Sequence, residues 1–220
     1  MERFTLMGTI ETSAGAVSVA LDGPQDAPLL VLAPGAGAPM THEFMVAIAQ
    51  GVTTRGIRVC RFNFAYQEAG KKGPDRQPVL EETYREVVAE VTRDHDGPLF
   101  LGGKSMGGRI ASHIVASGTD AVGLVFHGYP LHPPGRPDRI RKDHLVDIKV
   151  PMLFVEGTRD PFCPLDTLDE VRAELVAETT VAVIGDGDHT FKVRKSSGRD
   201  TAAAWQEVVD ATVTWIESNI

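Results

Sequence analysis

Leu99-Phe-Leu-Gly-Gly-Lys-Ser-Met-Gly-Gly-Arg109 decides the reading of this chain. An apolar run ends in Gly103-Lys-Ser-Met-Gly107, a Gly-x-Ser-x-Gly sequence, and Ile110 to Ser117 continues with helical spacing. Strand, sharp glycine turn and helix are together the context of a nucleophile elbow. Glycines on both sides let the backbone fold closely beneath the serine. Ser105 Oγ then stands above a sheet, at the positive end of the following helix. The five-residue pattern alone is common, but in this context it is specific.

Outward from this segment, apolar runs alternate with helical periodicity. Residues 3–10 and 15–21 read as two paired strands joined by Thr12-Ser-Ala-Gly15. Leu29-Leu-Val-Leu-Ala33 is apolar throughout, as a strand buried on both faces requires. It ends in Pro34-Gly-Ala-Gly-Ala-Pro39, followed by a helical pattern over Thr41 to Arg55, a strand over Ile57 to Phe62 and a loop over 63–78. Val79 to Asp94 reads as a helix, Leu99 to Gly102 as the strand below Ser105, and Ala121 to Phe126 as the next strand. Pro151 opens a strand through Val155, and Pro164 precedes a helix to about Ala177. Thr180 to Ile184 is a last strand, and Asp200 to Ser218 a last helix. Strands separated by helices predict a mostly parallel α/β sheet, in one domain over residues 1–220.

The connection over 127–150 breaks the rhythm. Gly128-Tyr-Pro-Leu-His-Pro-Pro-Gly-Arg-Pro137 cannot be helical, because its prolines remove amide donors and fix the backbone. It reads as an ordered loop bordering the site, with no room for a cap domain.

A serine hydroxyl needs a base, and the base a partner that fixes its tautomer and stabilises its cation. Two further strand ends supply these groups. Met152-Leu-Phe-Val-Glu-Gly-Thr-Arg-Asp160 is a strand, a glycine turn and an aspartate, and Val181-Ala-Val-Ile-Gly-Asp-Gly-Asp-His189 is a strand, a loop and a histidine. The order Ser105, Asp160, His189 is that of hydrolases built on such sheets. Read singly, Asp160 could be a turn residue before Pro161 and His189 a solvated loop histidine; their shared placement favours a triad. Asp166 reads as a helix N-cap and Asp186 and Asp188 as loop acids. The backbone N–H groups of Met106 and Ala36 are the expected oxyanion donors.

Lys104 and His127, next to the nucleophile along the chain or across the sheet, are assigned provisionally to substrate binding. Lys104, Arg109, Arg159 and Lys192 all fall near site loops and suggest an anionic acyl substrate. Pairing of Lys104 and Arg109 with acids on neighbouring helices is the simpler reading. His42 and His95 fall at helix ends, His113 on the elbow helix, and His132 and His144 along the proline-rich loop. No histidine has a metal-ligand spacing, and neither metal nor cofactor is expected.

Composition bounds the function. The 220 residues are 42% hydrophobic and 24% charged, with a net charge of −8 and a pI of about 5.3. That balance argues against general nucleic-acid binding. No apolar run is long enough to span a bilayer, and Met1 to Thr9 lacks a secretory pattern, so a cytoplasmic protein without membrane partners is expected. Cys60 and Cys163 read as free thiols.

These segments resemble the α/β-hydrolase superfamily over nearly the whole chain. The compact, capless form is similar to dienelactone-hydrolase-like proteins. Pro34-Gly-Ala-Gly37, Gly102-Gly-Lys-Ser-Met-Gly-Gly-Arg109, Gly128-Tyr-Pro-Leu-His-Pro-Pro-Gly135, Val155-Glu-Gly-Thr-Arg-Asp-Pro161 and Gly187-Asp-His-Thr-Phe-Lys192 carry a narrower likeness. They resemble the small hydrolase-like family of testis-expressed protein 30 and NSL complex subunit 3. The resemblance implies an eight-stranded, mostly parallel sheet, with nucleophile, acid and base at Ser105, Asp160 and His189. Dienelactone hydrolases proper use a cysteine where this chain has Ser105, so their specific activity does not carry over. The expectation is a hydrolase of a small carboxylic ester or thioester. The alternative is a catalytically silent interaction protein or complex subunit that keeps the fold.

Overall fold

The computed structural model describes residues 5–220; residues 3 and 4 of the first expected strand lie outside the described residues. One eight-stranded sheet runs through the molecule in the order β1-β2-β4-β3-β5-β6-β7-β8. β1 (Thr5–Thr12) and β2 (Gly15–Asp22) form a hairpin closed at the Thr12–Gly15 pair, and β2 runs antiparallel to β4. β3 (Leu29–Ala33), β4 (Arg58–Phe62), β5 (Leu99–Lys104), β6 (Gly123–His127), β7 (Met152–Gly157) and β8 (Thr179–Ile184) are mutually parallel.

Strand alternation divides the core in two. Leu30, Leu32, Phe100, Val125 and Leu153 face one layer, formed by α1 (Glu43–Thr53) and the last helix, Thr201–Glu217. Val31, Leu101, Phe126 and Phe154 face the other. There lie the short α2 (Ala65–Glu68), α3 (Gln77–Val91), α4 (Met106–Ala116) and α5 (Leu165–Arg172). The last helix is α6. Each helix buries one apolar stripe against a strand face, which is the main favourable term in such an architecture. None of the described helices is long and apolar enough to cross a membrane.

The boundaries differ from the sequence reading where packing overrides propensity. α4 begins at Met106 rather than Ile110, because Gly107 and Gly108 are helical in spite of their low intrinsic preference. Residues 63–78 are not all loop, since they contain α2 and the first residues of α3. The helix after Pro164 ends at Arg172, well short of Ala177. Asp166 is not its N-cap: Pro164 holds that position, and Asp166 Oδ1 accepts from the Thr167 amide inside the first turn.

Close approach of backbones explains the glycines around β5. A Cβ on Gly107 would lie 2.2 Å from the Ala33 carbonyl oxygen, and one on Gly103 2.5 Å from the same atom. Neither backbone can yield, so α4 rests directly on β3 and β5. The strand order reverses between β3 and β5, and their carboxyl ends open the crevice where sheets of this type bind ligands. Gly107→Ala is expected to lower unfolding free energy by about 3 kcal/mol or more, through backbone overpacking. Denaturant unfolding checks this, and an unchanged midpoint would contradict the packing described.

Candidate active site

Ser105 leaves β5 with φ 52° and ψ −114°, a left-handed conformation that a side chain adopts only under constraint. Its amide donates to the His127 carbonyl at 3.0 Å, and its own carbonyl accepts from Arg109 at 3.1 Å. The turn is thus pinned to β6 on one side and to α4 on the other. Oγ lies 2.8 Å from His189 Nε2, and His189 Nδ1 lies 2.6 Å from Asp160 Oδ2. A carboxylate can only accept, so Nδ1 carries the proton and Nε2 presents its lone pair to the hydroxyl.

Asp160 and His189 are held by interlocked turns. Asp160 follows β7, and its second oxygen, Oδ1, accepts from the Phe162 amide at 2.8 Å. Its side chain is wholly shielded from solvent. His189 follows β8 in a loop fixed by Asp188, whose Oδ1 accepts from Thr190 N, Thr190 Oγ1 and Lys192 N. The Arg159 amide donates to the Gly187 carbonyl at 2.8 Å, joining the two loops. Phe162 places its ring edge-on to the imidazole, with centroids 4.6 Å apart.

Burial is the largest influence on His189 and lowers its pKa; the Asp160 hydrogen bond opposes this, and the Lys104 charge adds to the lowering. The net direction is downward, so the imidazole stays neutral at lower pH than an ordinary histidine.

The structure does not bring Lys104 or His127 to the substrate side, which corrects the expectation for both. Lys104 ends β5 pointing inward, with Nζ 5.7 Å from the centroid of Phe191 and no hydrogen-bond partner among the described residues. Nor does it pair with an acid on a neighbouring helix. Desolvation brings its pKa down to about 8, against the opposing pull of Asp160, Glu156 and Asp188. His127 is fully buried, with Nε2 2.9 Å from Thr212 Oγ1, and burial followed by the Lys104 charge holds its pKa at about 3. Both side chains belong to the support behind the site.

Glu156, buried beside them, accepts from the Tyr129 amide at 2.6 Å. Burial, and after it the Asp160 charge, pushes its carboxyl well above the usual range. Cys60 and Cys163 are free, buried thiols, and burial raises the pKa of each.

A second serine–histidine contact differs in kind. Ser112 Oγ lies 2.7 Å from His144 Nε2, but Ser112 is fully buried and its hydroxyl donates to the Arg109 carbonyl. Burial and the nearby His113 and Arg109 charges hold His144 at about 3, and its ring stacks on His113 at 3.6 Å. Among the described residues no carboxylate orients it, and the pair serves packing.

A cavity of about 260 Å³ opens over Ser105 and His189. Ala36 and Met106 line it, together with Leu80, Pro130, Phe162 and, on its polar side, Arg109 and Arg141. His132 also reaches it, as the expected border role of the 127–150 loop implies. Sequence reasoning missed Phe162 and Arg141 as individual residues. An aromatic two positions after the acid was the available signal for Phe162, whereas Arg141 had none. Of the four cations near site loops, Arg109 alone lines the cavity. Arg159 is bound to Asp186 and to the Lys192 carbonyl, and Lys192 pairs with Glu43. Among the described residues no group of His, Cys, Asp and Glu could hold a metal ion.

The family described as "Alpha/beta hydrolase domain" matches the chain over residues 26–217. Solved structures share the fold at low identity. A dienelactone hydrolase from Anabaena variabilis ATCC 29413 superposes with a TM-score of 0.80 at 16% identity, over 100% of each chain. Est1E from Butyrivibrio proteoclasticus, with ferulic acid bound, gives 0.78 at 16% identity, over 96% of this chain and 98% of that one. An α/β serine hydrolase without lid from Xanthomonas campestris gives 0.73 at 18% identity, over 98% of this chain and 96% of that one.

Replacing Lys104 by Met removes the charge while retaining most of the buried stem. NMR titration of the His189 imidazole is expected to show a pKa below the ordinary histidine value in the parent protein. In the variant that pKa is expected to rise, because no cation then opposes protonation. A fall, or no change, would refute the electrostatic coupling.

Proposed function

This chain belongs to the α/β-hydrolase domain family, and we propose that it is a serine hydrolase cleaving a small carboxylic ester or thioester through an acyl-enzyme. The observation that carries this reading is the unbroken Ser105–His189–Asp160 chain, with contacts of 2.8 and 2.6 Å at the floor of a cavity.

In the proposed reaction Ser105 Oγ attacks the substrate carbonyl carbon as its proton passes to His189 Nε2. Asp160 Oδ2 holds Nδ1–H, which keeps the ring oriented and stabilises the imidazolium. The carbonyl oxygen becomes an oxyanion, received by the Met106 and Ala36 amides. Met106 opens α4, where an amide has no acceptor within the helix. In the loop after β3 the Gly37 amide is taken by the Tyr66 hydroxyl at 3.3 Å, which favours Ala36 as the donor. Collapse of the intermediate breaks the bond to the alcohol or thiol, and His189 returns the proton to the leaving atom. Water then attacks the acyl carbon, giving its proton to His189, and the acid departs as Ser105 is reprotonated. Each oxyanion donor in such a site is worth roughly 10²–10³ in turnover.

The cavity volume of about 260 Å³ lies below the usual range for drug-sized ligands and supports a short acyl group. With 4-nitrophenyl butyrate as substrate, Ser105→Ala is expected to lower kcat by about 10⁴-fold or more, and Asp160→Asn by about 10³–10⁴-fold. A fluorophosphonate probe should label the parent protein at Ser105 and leave Ser105→Ala unlabelled, as intact-mass spectrometry would show. A parent protein that neither reacts with the probe nor turns over esters would favour the silent interaction protein.

A further inference from the structure

Several of the described arginines bind an acid directly: Arg61 to Asp22, Arg85 to Glu81 and Glu82, Arg172 to Asp169, Arg194 to Asp186. Arg109 and Arg141 do not. In a chain with a net charge of −8, two guanidinium groups line one small cavity, and among the described residues neither has an ion-pair partner. Arg109 Nη1 donates to Gln77 Oε1 at 3.0 Å and lies 3.3 Å from His113 Nε2, while its buried Nε has no hydrogen-bond partner among the described residues.

The neighbouring acids are already engaged. Glu81 accepts from Gln77 Nε2 at 2.8 Å and pairs with Arg85, and Asp75, the acid in the cavity wall, is bonded to Lys71 at 3.1 Å. Two like charges facing a half-desolvated space repel each other unless an anion lies between them, and each lowers the stability of the other's charged form. Arginine suits such an anion because its planar fork matches a carboxylate through two parallel hydrogen bonds. The remaining walls near the serine, Leu80, Met106, Pro130 and Phe162, are apolar.

We propose that Arg109 and Arg141 form a subsite for a carboxylate carried by the substrate, so that the preferred ester is small, with an apolar spacer between the scissile carbonyl and an anionic end. The subsite rests on the Ser105 reading for its catalytic meaning, although anion binding itself does not require a working serine. Arg109 holds one side of the anion from α4, where Gln77 orients its guanidinium. Arg141 closes the other side from the proline-rich connection after β6, which gives that long loop a specific task.

Two substrate pairs test the subsite: mono-4-nitrophenyl glutarate against 4-nitrophenyl butyrate, and 4-carboxyphenyl butyrate against phenyl butyrate. They place the carboxylate in the acyl part and in the alcohol part respectively. In at least one pair the anionic ester is expected to have a kcat/KM higher by about tenfold or more. In Arg141→Gln that ratio should collapse towards one, mainly through KM. Arg109→Lys should reduce it in part, since the charge remains and the fork is lost. Ratios near one in both pairs, or a ratio unaltered in Arg141→Gln, overturn the proposal. Both arginines are half-buried, but Arg109 is packed on α4 with its Nε buried and its replacement could disturb folding, so the loop variant at Arg141 decides, with thermal melting as the check on integrity.

Binding of glutarate and of 4-hydroxybenzoate to Ser105→Ala, followed by NMR titration, separates failure of the subsite from failure of the hydrolase reading. Saturable shifts at Arg109 and Arg141, weakened by about tenfold when Arg141→Gln is added, uphold the subsite even if no ester is turned over. No saturable shift with either anion overturns it.

Discussion

The closeness with which α4 lies on β3 and β5 governs the geometry of this protein. Gly103 and Gly107 meet the Ala33 carbonyl at distances that no Cβ could share. This contact forces the chain to turn within one residue, and Ser105 takes the left-handed conformation that results. The strained residue is held from three directions, by β6 through its amide, by α4 through its carbonyl and by His189 through its hydroxyl. Ala33 and Pro34, which crowd Gly107, lead straight on to Gly35 and Ala36. One steric contact therefore sets both the position of the hydroxyl and the separation of the two amides proposed to receive the oxyanion.

Behind the hydroxyl lies an uncommon arrangement of charge. Lys104, Glu156, His127 and Asp160 are all buried near the carboxyl ends of β5, β6 and β7, yet among the described residues Lys104 has no ion-pair partner, and the face of Phe191 lies beside its ammonium group. Desolvation of such a cation is costly, and the surrounding acids offset part of that cost through space. Glu156 is driven towards its neutral form and His127 is kept neutral, so the field acting on His189 is that of the Lys104 cation and the Asp160 and Asp188 carboxylates. The cation opposes protonation of the imidazole and the two carboxylates support it, and burial tips the balance downward.

Much of this was legible in the sequence because it depends on local patterns. The continuous apolar runs at 29–33 and 99–102 could only be strands buried on both faces, and the glycine pattern around Ser105 identified the turn. The order of Ser105, Asp160 and His189 at successive strand ends pointed to the three residues that the fold brings into contact. Helix boundaries were less legible: Gly107 and Gly108 lower helical preference, but tertiary packing makes them obligatory there. The directions of Lys104 and His127 were hidden as well. Proximity along the chain places both near Ser105, while the alternation of side chains along β5 and β6 turns them away from the cavity. Arg141 lies in a segment without periodicity, and its position emerges only when the 127–150 connection folds across α4.

The groups proposed to make and break bonds reside at strand ends, clamped to one another by the Gly157–Gly187 contact, where an added Cβ would fall 2.3 Å from a carbonyl oxygen. The cavity walls, by contrast, come largely from the 63–78 and 127–150 connections, which are anchored in the core by Phe64, Tyr66, Tyr129, Leu131, Leu145 and Ile148 and leave exposed stretches between those anchors. The proposed reactivity and recognition are thus carried by parts of the chain with different mechanical obligations. Insertion, deletion or exchange within those exposed stretches reshapes what is admitted without altering the register of any strand. A single ancestral framework of this kind can diversify in ligand choice while its reacting atoms keep their separations.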